Sequence, residues 1–194
     1  MSRVGIALAV FLAGCVAVGM PTSSDPAVKL AQATEMFDRR GRPVPAEALI
    51  QEAIGIYTQH SDQPGLAEAY RVSGFFFRSH SLGQFERRYR EVGFLDREAR
   101  FDERFQRSVD YFQRAQALFE AQGRDDKVTN VWLNMGFSYE FMKDTPHACA
   151  AYDKSLEASR RFQRARPDAR LDLPAGVTSY EAYLNGHKTR LGCP

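Results

Sequence analysis

The sequence predicts an all-α protein, and three observations carry that prediction. From about residue 26 onward, apolar and small residues recur three and four positions apart, and no run of alternating β-branched residues interrupts them. The chain has 194 residues, 44% hydrophobic and 12% aromatic, enough for one sizeable core and too few for two ordinary domains. Its 14 Phe and 8 Tyr supply ample burial, which argues against disorder. With Lys+Arg 26 against Asp+Glu 24, the formal net charge is only +2, so a surface built to neutralise phosphates is not expected and nucleic acid is not a predicted partner. Beyond the first two dozen residues no apolar stretch approaches the roughly 20 residues of a membrane span, so the body of the protein is expected to be soluble.

The N-terminus reads as an address. Met1 to Met20 carries Arg3, an apolar core from Val4 to Leu12, and small residues before a cysteine, the layout of a secretory signal. Leu12-Ala13-Gly14-Cys15 resembles the bacterial lipobox, where cleavage precedes a cysteine that accepts the lipid. That resemblance implies a signal peptide over 1–14, lipidation at Cys15, and a tether over 15–25 rich in small and polar residues. Val16 stands where inner-membrane retention signals carry Asp, so the implied location is the bacterial cell envelope, anchored by lipid to the outer membrane and facing the periplasm. An ordinary signal peptide, or an uncleaved anchor, with an incidental cysteine is the alternative.

In the helical body, 26–194, the clearest segment holds Trp132, Met135, Gly136, Tyr139, Ala148, Tyr152 and Ser155, two helices meeting through Lys143-Asp144-Thr145-Pro146. These residues and spacings resemble the tetratricopeptide repeat (TPR), with Met135 and Ser155 as mild departures from its Leu and Ala. Gly136 and Ala148 are read as the small positions that let two helices approach, with Tyr139 and Tyr152 filling the space beside them. Aligning second helices extends the resemblance: Ala46, Ile50 and Ala53 match Ser108, Phe112 and Ala115, and each set is followed, 28 residues after its first member, by a glycine, Gly74 or Gly136. It implies a short right-handed TPR-like α-solenoid of about three helical hairpins with a C-terminal capping helix.

The first hairpin, Ala27 to His60, has Leu30 and Phe37 on its first helix and Thr34 where the small residue would stand. The second, Gly65 to Gln122, is interrupted: Gly74 and Ser108 are 34 apart where the corresponding positions elsewhere are 12 apart. The extra segment, about 84–107, carries seven Arg against six Asp+Glu, with Phe85, Tyr89, Phe101 and Phe105 at helical spacing. It is expected to form a short helix and then the start of a long helix from Asp96 to Gln122. That helix would bury Phe101, Phe105, Val109, Phe112 and Phe119, with Asp96/Arg100 and Glu103/Arg107 paired at i,i+4 on its wet side. The segment reads more readily as a solvated charged face than as a basic binding patch. The third hairpin runs from Asp126 to about Ala165. Pro167, Pro174 and Gly176 then mark a linker, and Thr178 or Ser179 caps a last helix with Tyr180, Tyr183 and Leu184 on its apolar stripe.

With Cys15 lipidated, Cys149 and Cys193 remain as an even pair in an oxidising compartment. A cap antiparallel to the third hairpin's second helix would return Cys193 to the level of Cys149, so a disulfide is predicted, with two free thiols as the alternative. His60, His80, His147 and His187 sit singly, without metal-ligand spacing, and no phosphate loop or nucleophile motif is present. No metal, cofactor or catalytic residue is therefore predicted, and an enzyme is not expected.

The resemblance implies a concave face built from successive first helices. In the repeat register it holds Gln32 and Glu35, then Arg71, Phe75 and Arg78, then Leu133, Asn134, Phe137 and Glu140. Aromatic rings beside arginines and an amide are the composition of an interface hot spot, with core packing of Phe75 and Phe137 as the competing reading. The lysine and asparagine set of repeats that clamp a C-terminal carboxylate is missing, and only Asn134 matches it. The expected function is a lipid-anchored periplasmic adaptor that binds another cell-envelope protein or peptide in assembly or secretion. The alternatives are an envelope enzyme or small-ligand binder using a cleft beside the inserted helix, or an immunity or inhibitor protein for an exported toxin.

Overall fold

The computed structural model describes residues 23–169, 173 and 176–194. The predicted signal, Cys15 and most of the tether lie outside the described residues. Those described form nine α-helices, one 3-10 turn and no strand: α1 (Pro26–Asp38), α2 (Pro43–Gln59), α3 (Gln63–Arg78), α4 (His80–Gln84), α5 (Glu86–Glu91), α6 (Arg104–Ala121), α7 (Asp125–Phe141), α8 (Thr145–Ala165) and α9 (Tyr180–Leu191), with the 3-10 turn at Phe101–Glu103. The fold is all-α. None of the described helices is long and apolar enough to cross a membrane.

Local chemistry sets the helix starts. Asp25, Asp62, Asp144 and Ser179 each cap a helix by accepting a backbone N–H, from Ala27, Gly65, His147 and Ala182 respectively. Pro26, Pro64 and Pro146 follow the three aspartates in the first turn, where a missing N–H costs no helical bond. The link between α6 and α7 turns on Gly123 at φ 66, and the link between α7 and α8 on Lys143 at φ 60, a left-handed conformation that is strained for lysine.

The helices pack as successive antiparallel pairs, α1 with α2, α3 with α6 and α7 with α8, and α9 lies against α8. In the second pair, the Arg104 guanidinium reaches the Phe77 carbonyl, the Ser108 hydroxyl donates to the Gly74 carbonyl at 2.7 Å, and Tyr111 meets Tyr70. In the last, Arg160 pairs with Glu181 and Lys188 with Asp153. Ala46, Ile50, Ala53, Ser108, Phe112, Ala115, Ala148, Tyr152 and Ser155 are all buried, so the aligned small-large-small positions of α2, α6 and α8 each face the interior. The large member of each later triplet fills the space left by the matching glycine: a Cβ on Gly74 would meet the Phe112 ring at 2.6 Å, and one on Gly136 the Tyr152 ring at 2.3 Å. Tyr152, and not Ala148, is therefore what makes Gly136 a position for a residue without a side chain. Tyr139 is half-buried and stacks on the His147 ring.

The inserted segment differs from expectation. The long helix begins at Arg104, not Asp96, because Asp96 is used as an anchor rather than as a helical residue. Its carboxylate accepts two hydrogen bonds from Arg107, at 2.7 and 3.0 Å, and one from the Tyr111 hydroxyl at 2.8 Å. Arg107 pairs across 11 residues in place of the i,i+4 partner Glu103, and Asp96 is thereby taken from Arg100. Phe94 and Tyr89 are buried and stack on one another, and Phe94 packs against Phe77, so the loop folds onto the α2 and α3 side of the stack. Phe101 and Phe105 are only half-buried, whereas Val109, Phe112 and Phe119 are fully interior.

The linker after α8 leads to α9, which Ser179 caps, and Tyr180 and Leu184 are buried against α8. The antiparallel course of α9 brings Cys193 to Cys149 with their Cα atoms 5.6 Å apart, at disulfide geometry.

Candidate functional site

The C-terminal ends of α1, α3 and α7, the first helices of the three pairs, surround an open cleft of about 880 Å³. Thr34, Phe37 and Asp38 line it from α1, Phe75, Arg78 and Ser79 from α3 and its end, and Phe137, Glu140 and Phe141 from α7. The same helical stripe that buries Val72 and Phe76 on one side of α3 leaves Phe75 and Arg78 on the other, in the last turn of the helix.

Arg78 forms the floor. Its Nη1 donates to the Asn134 carbonyl at 3.0 Å and its Nη2 to Asn134 Oδ1 at 2.6 Å. Three rings surround the guanidinium carbon, Phe137 at 5.3 Å, Phe75 at 5.7 Å and Phe112 at 5.9 Å. Among the described residues no carboxylate stands within ion-pair distance of it. Burial lowers its pKa to about 10, which leaves it protonated at neutral pH. Asn134 is itself 5% exposed, and its amide nitrogen donates to the Asn130 carbonyl, so the amide is locked and holds the guanidinium in place.

Glu140 closes one rim. It accepts hydrogen bonds from the Tyr152 hydroxyl and, at 2.7 Å, from Arg190, with His187 3.5 Å away. Burial acts to raise its pKa, but the bonds from Tyr152 and Arg190 prevail and hold it below the usual carboxylate range. Asp38, exposed at the end of α1, is the other rim carboxylate. Phe141 is the most exposed ring of the cleft, 59% open to solvent, and stacks on Phe105 at 4.9 Å.

Of the nine residues placed on this face from the sequence, Phe75, Arg78, Phe137 and Glu140 meet in the cleft. Both phenylalanines are half-buried, with one edge in the core, where Phe75 meets Phe112 and Phe137 meets Tyr152, and another part in the cleft. Asn134 is buried beneath the surface instead of facing a ligand, and Leu133 packs in the cluster around Tyr152 and Leu184. Arg71 lines a neighbouring groove of about 470 Å³, where it pairs with Glu68 and lies over the outer face of Phe75. Gln32 does not line the cleft, and Glu35 turns to Arg39 and Arg40. The residues missed are Thr34, Phe37 and Asp38 on α1, Ser79 at the end of α3 and Phe141 on α7. The signal for two of them was present in the sequence, because Phe141 and Asp38 follow Phe137 and Thr34 by four. No group of three or more metal-ligating side chains occurs among the described residues.

No protein-family model matches the sequence, and no curated protein matches it.

Proposed function

We propose that this protein is a lipid-anchored adaptor of the bacterial cell envelope, a short TPR-like solenoid that holds a segment of another envelope protein in the cleft between α1, α3 and α7. The observation that carries this reading is the convergence of three successive first helices on one open, ring-lined cleft, the arrangement by which stacked helical pairs present a concave binding face. The repeat spacing of Gly74 and Gly136 with the buried small-large-small positions supports it as well. The Leu12 to Cys15 segment supports the anchor, with the outer membrane facing the periplasm as the proposed location.

Photocrosslinking tests the binding half. A photoreactive side chain placed at Asp38 or Phe141 in the full-length chain, expressed in a bacterial envelope, is expected to yield a discrete protein adduct that Phe75→Ala or Phe137→Ala diminishes. Adducts insensitive to both substitutions move the interface away from the cleft. Fractionation tests the anchor: Cys15→Ala should leave the membrane fraction, and identical partitioning of wild type and variant rejects lipidation.

A further inference from the structure

A guanidinium withdrawn from water ordinarily meets a carboxylate, because hydrogen bonds to neutral groups only partly replace its hydration. Arg78 is set into the floor of the cleft among three rings, and its two side-chain hydrogen bonds within the described residues go to Asn134, a neutral residue. Nearby acids do not serve it. Glu140 is committed to Arg190, Tyr152 and His187, and Asp38 stands at the rim outside ion-pair distance. A guanidinium has five N–H donors, and Asn134 engages two of them. The carbonyl ends of α1, α3 and α7 contribute only partial negative charge that falls off within a turn.

We infer that Arg78 is a recognition site for the side-chain carboxylate of an internal Asp or Glu in a bound peptide, flanked on both sides by apolar residues. This rests on the proposed peptide-binding reading and adds its chemical specificity. Three features of the cleft select that ligand. Phe75 and Phe137 lie on different helices, α3 and α7, their ring centroids 5.7 and 5.3 Å from the guanidinium carbon, so a carboxylate reaching Arg78 is bordered by two separate rings, with room for an apolar neighbour at each rather than at one, as a chain terminus would offer. Asp38 at the rim, with Glu140 already compensated by Arg190, penalises a dianion such as a phosphoryl group while tolerating a single negative charge at the centre. Asn134 fixes the fork of the guanidinium before any ligand arrives, which removes an ordering cost from binding.

The test uses three probes against the protein in solution: Ac-Phe-Glu-Phe-NH2, its neutral isostere Ac-Phe-Gln-Phe-NH2, and Ac-Phe-Gln-Phe-OH, whose only carboxylate is terminal. Binding is followed by NMR titration, with the Arg78 Nε–H resonance as the local reporter. The Glu probe is expected to bind about ten-fold more tightly than the Gln amide and to shift the Arg78 resonance, as a charge-assisted pair in a partly dry site should. Equal binding of the Glu and Gln amides overturns the inference while leaving a peptide-binding cleft in place, and preference for the terminal carboxylate overturns the internal-side-chain assignment. Probes that leave the cleft resonances unmoved overturn it as well, and the crosslinking result then decides separately whether the cleft holds a protein. Arg78→Met supplies a second arm. The Asn134 carbonyl retains the Ser138 hydroxyl at 3.1 Å, so the variant is expected to keep its helicity and to bind the two amides equally. A variant that still prefers the Glu probe rejects Arg78 as the site. Should Arg78→Met not fold, the wild-type probe comparison decides alone.

Discussion

The Tyr152 ring occupies the space where a side chain on Gly136 would begin, its Cε1 lying 2.3 Å from the position of a Cβ. Phe112 stands in the same relation to Gly74, at 2.6 Å. Both rings are fully buried and neither can swing clear without opening the interior of its helix pair. Gly136→Ala and Gly74→Ala should therefore destabilise by about 1–3 kcal/mol each, although alanine is the better helix former. Gly55→Ala in α2 is the internal control, because nothing lies within 4 Å of its Cβ position, and it should be neutral or gain up to about 1 kcal/mol. Thermal or urea unfolding of the three variants checks the contrast, and equal effects in all three would refute the ring-to-glycine register.

Glu47 makes stability depend on pH above the range where most carboxylates titrate. It is 4% exposed, and desolvation raises its pKa from 4.5 to about 7 despite the hydrogen bond it accepts from the Leu95 amide at 2.7 Å. The folded protein therefore holds this proton more tightly than the unfolded chain does. The resulting stabilisation is fully present below pH 4.5 and is lost as the pH rises through about 7. Glu47→Gln, which keeps an acceptor for Leu95 and removes the charge, should raise stability at pH 8 relative to wild type by about 2–3 kcal/mol and leave pH 4 little changed. The check is the difference in unfolding free energy between the two proteins from pH 4 to 8, and a flat difference contradicts it.

The Asp96 and Arg107 pair should account for the order of the inserted loop. Their side chains are only 8% and 11% exposed. Arg107 keeps Glu98 and Asp110 when Asp96 is removed, but the Tyr111 hydroxyl and the guanidinium lose their buried acceptor, so Asp96→Ala should cost about 1–3 kcal/mol. Hydrogen exchange should locate the effect, with amides of 92–103 losing protection before those of α7 and α8. Uniform loss across the chain would show that the loop is not a separable unit.

Reduction of the Cys149 and Cys193 pair should release α9. The pair spans 44 residues of sequence, for which loop-closure arguments give about 2–4 kcal/mol. Cys193→Ser should lower the melting temperature and expose the linker after α8 to proteolysis, and the denatured wild type should show neither of these two thiols free. Two titratable thiols under non-reducing conditions would reject the bond.

Much of this fold was legible because its packing rule is local. In an uninterrupted hairpin a small residue on the first helix and a large one on the second are a short, regular distance apart in sequence, so Gly136 and Tyr152 could be brought together by counting, whereas Gly74 and Phe112 are separated by the insertion. The cap was legible because Ser179 acts on an immediate neighbour, the Ala182 amide. The inserted loop was not, because Asp96 could satisfy its charge within a helix through Arg100 or across a turn through Arg107, and periodicity treats the two alike. The tertiary solution prevails because it also brings in the Tyr111 hydroxyl. In the cleft, residue type was legible and depth was not. Arg78 and Asn134 share a face by spacing, but only packing decides that Asn134 lies beneath Arg78 and serves it from below.

The bond from Arg190 to Glu140 sets an order of assembly. Glu140 lies in the middle of the chain, yet its neutralising cation arrives from the last turn of α9, 50 residues later. During synthesis or export from the N-terminus, α1, α3 and α7 can surround their cleft while its rim still carries an uncompensated anion. The electrostatic character of the cleft is therefore completed only when residue 190 has emerged and α9 has docked. A nascent chain and a finished one present the same rings in the same places but repel acidic ligands to different degrees.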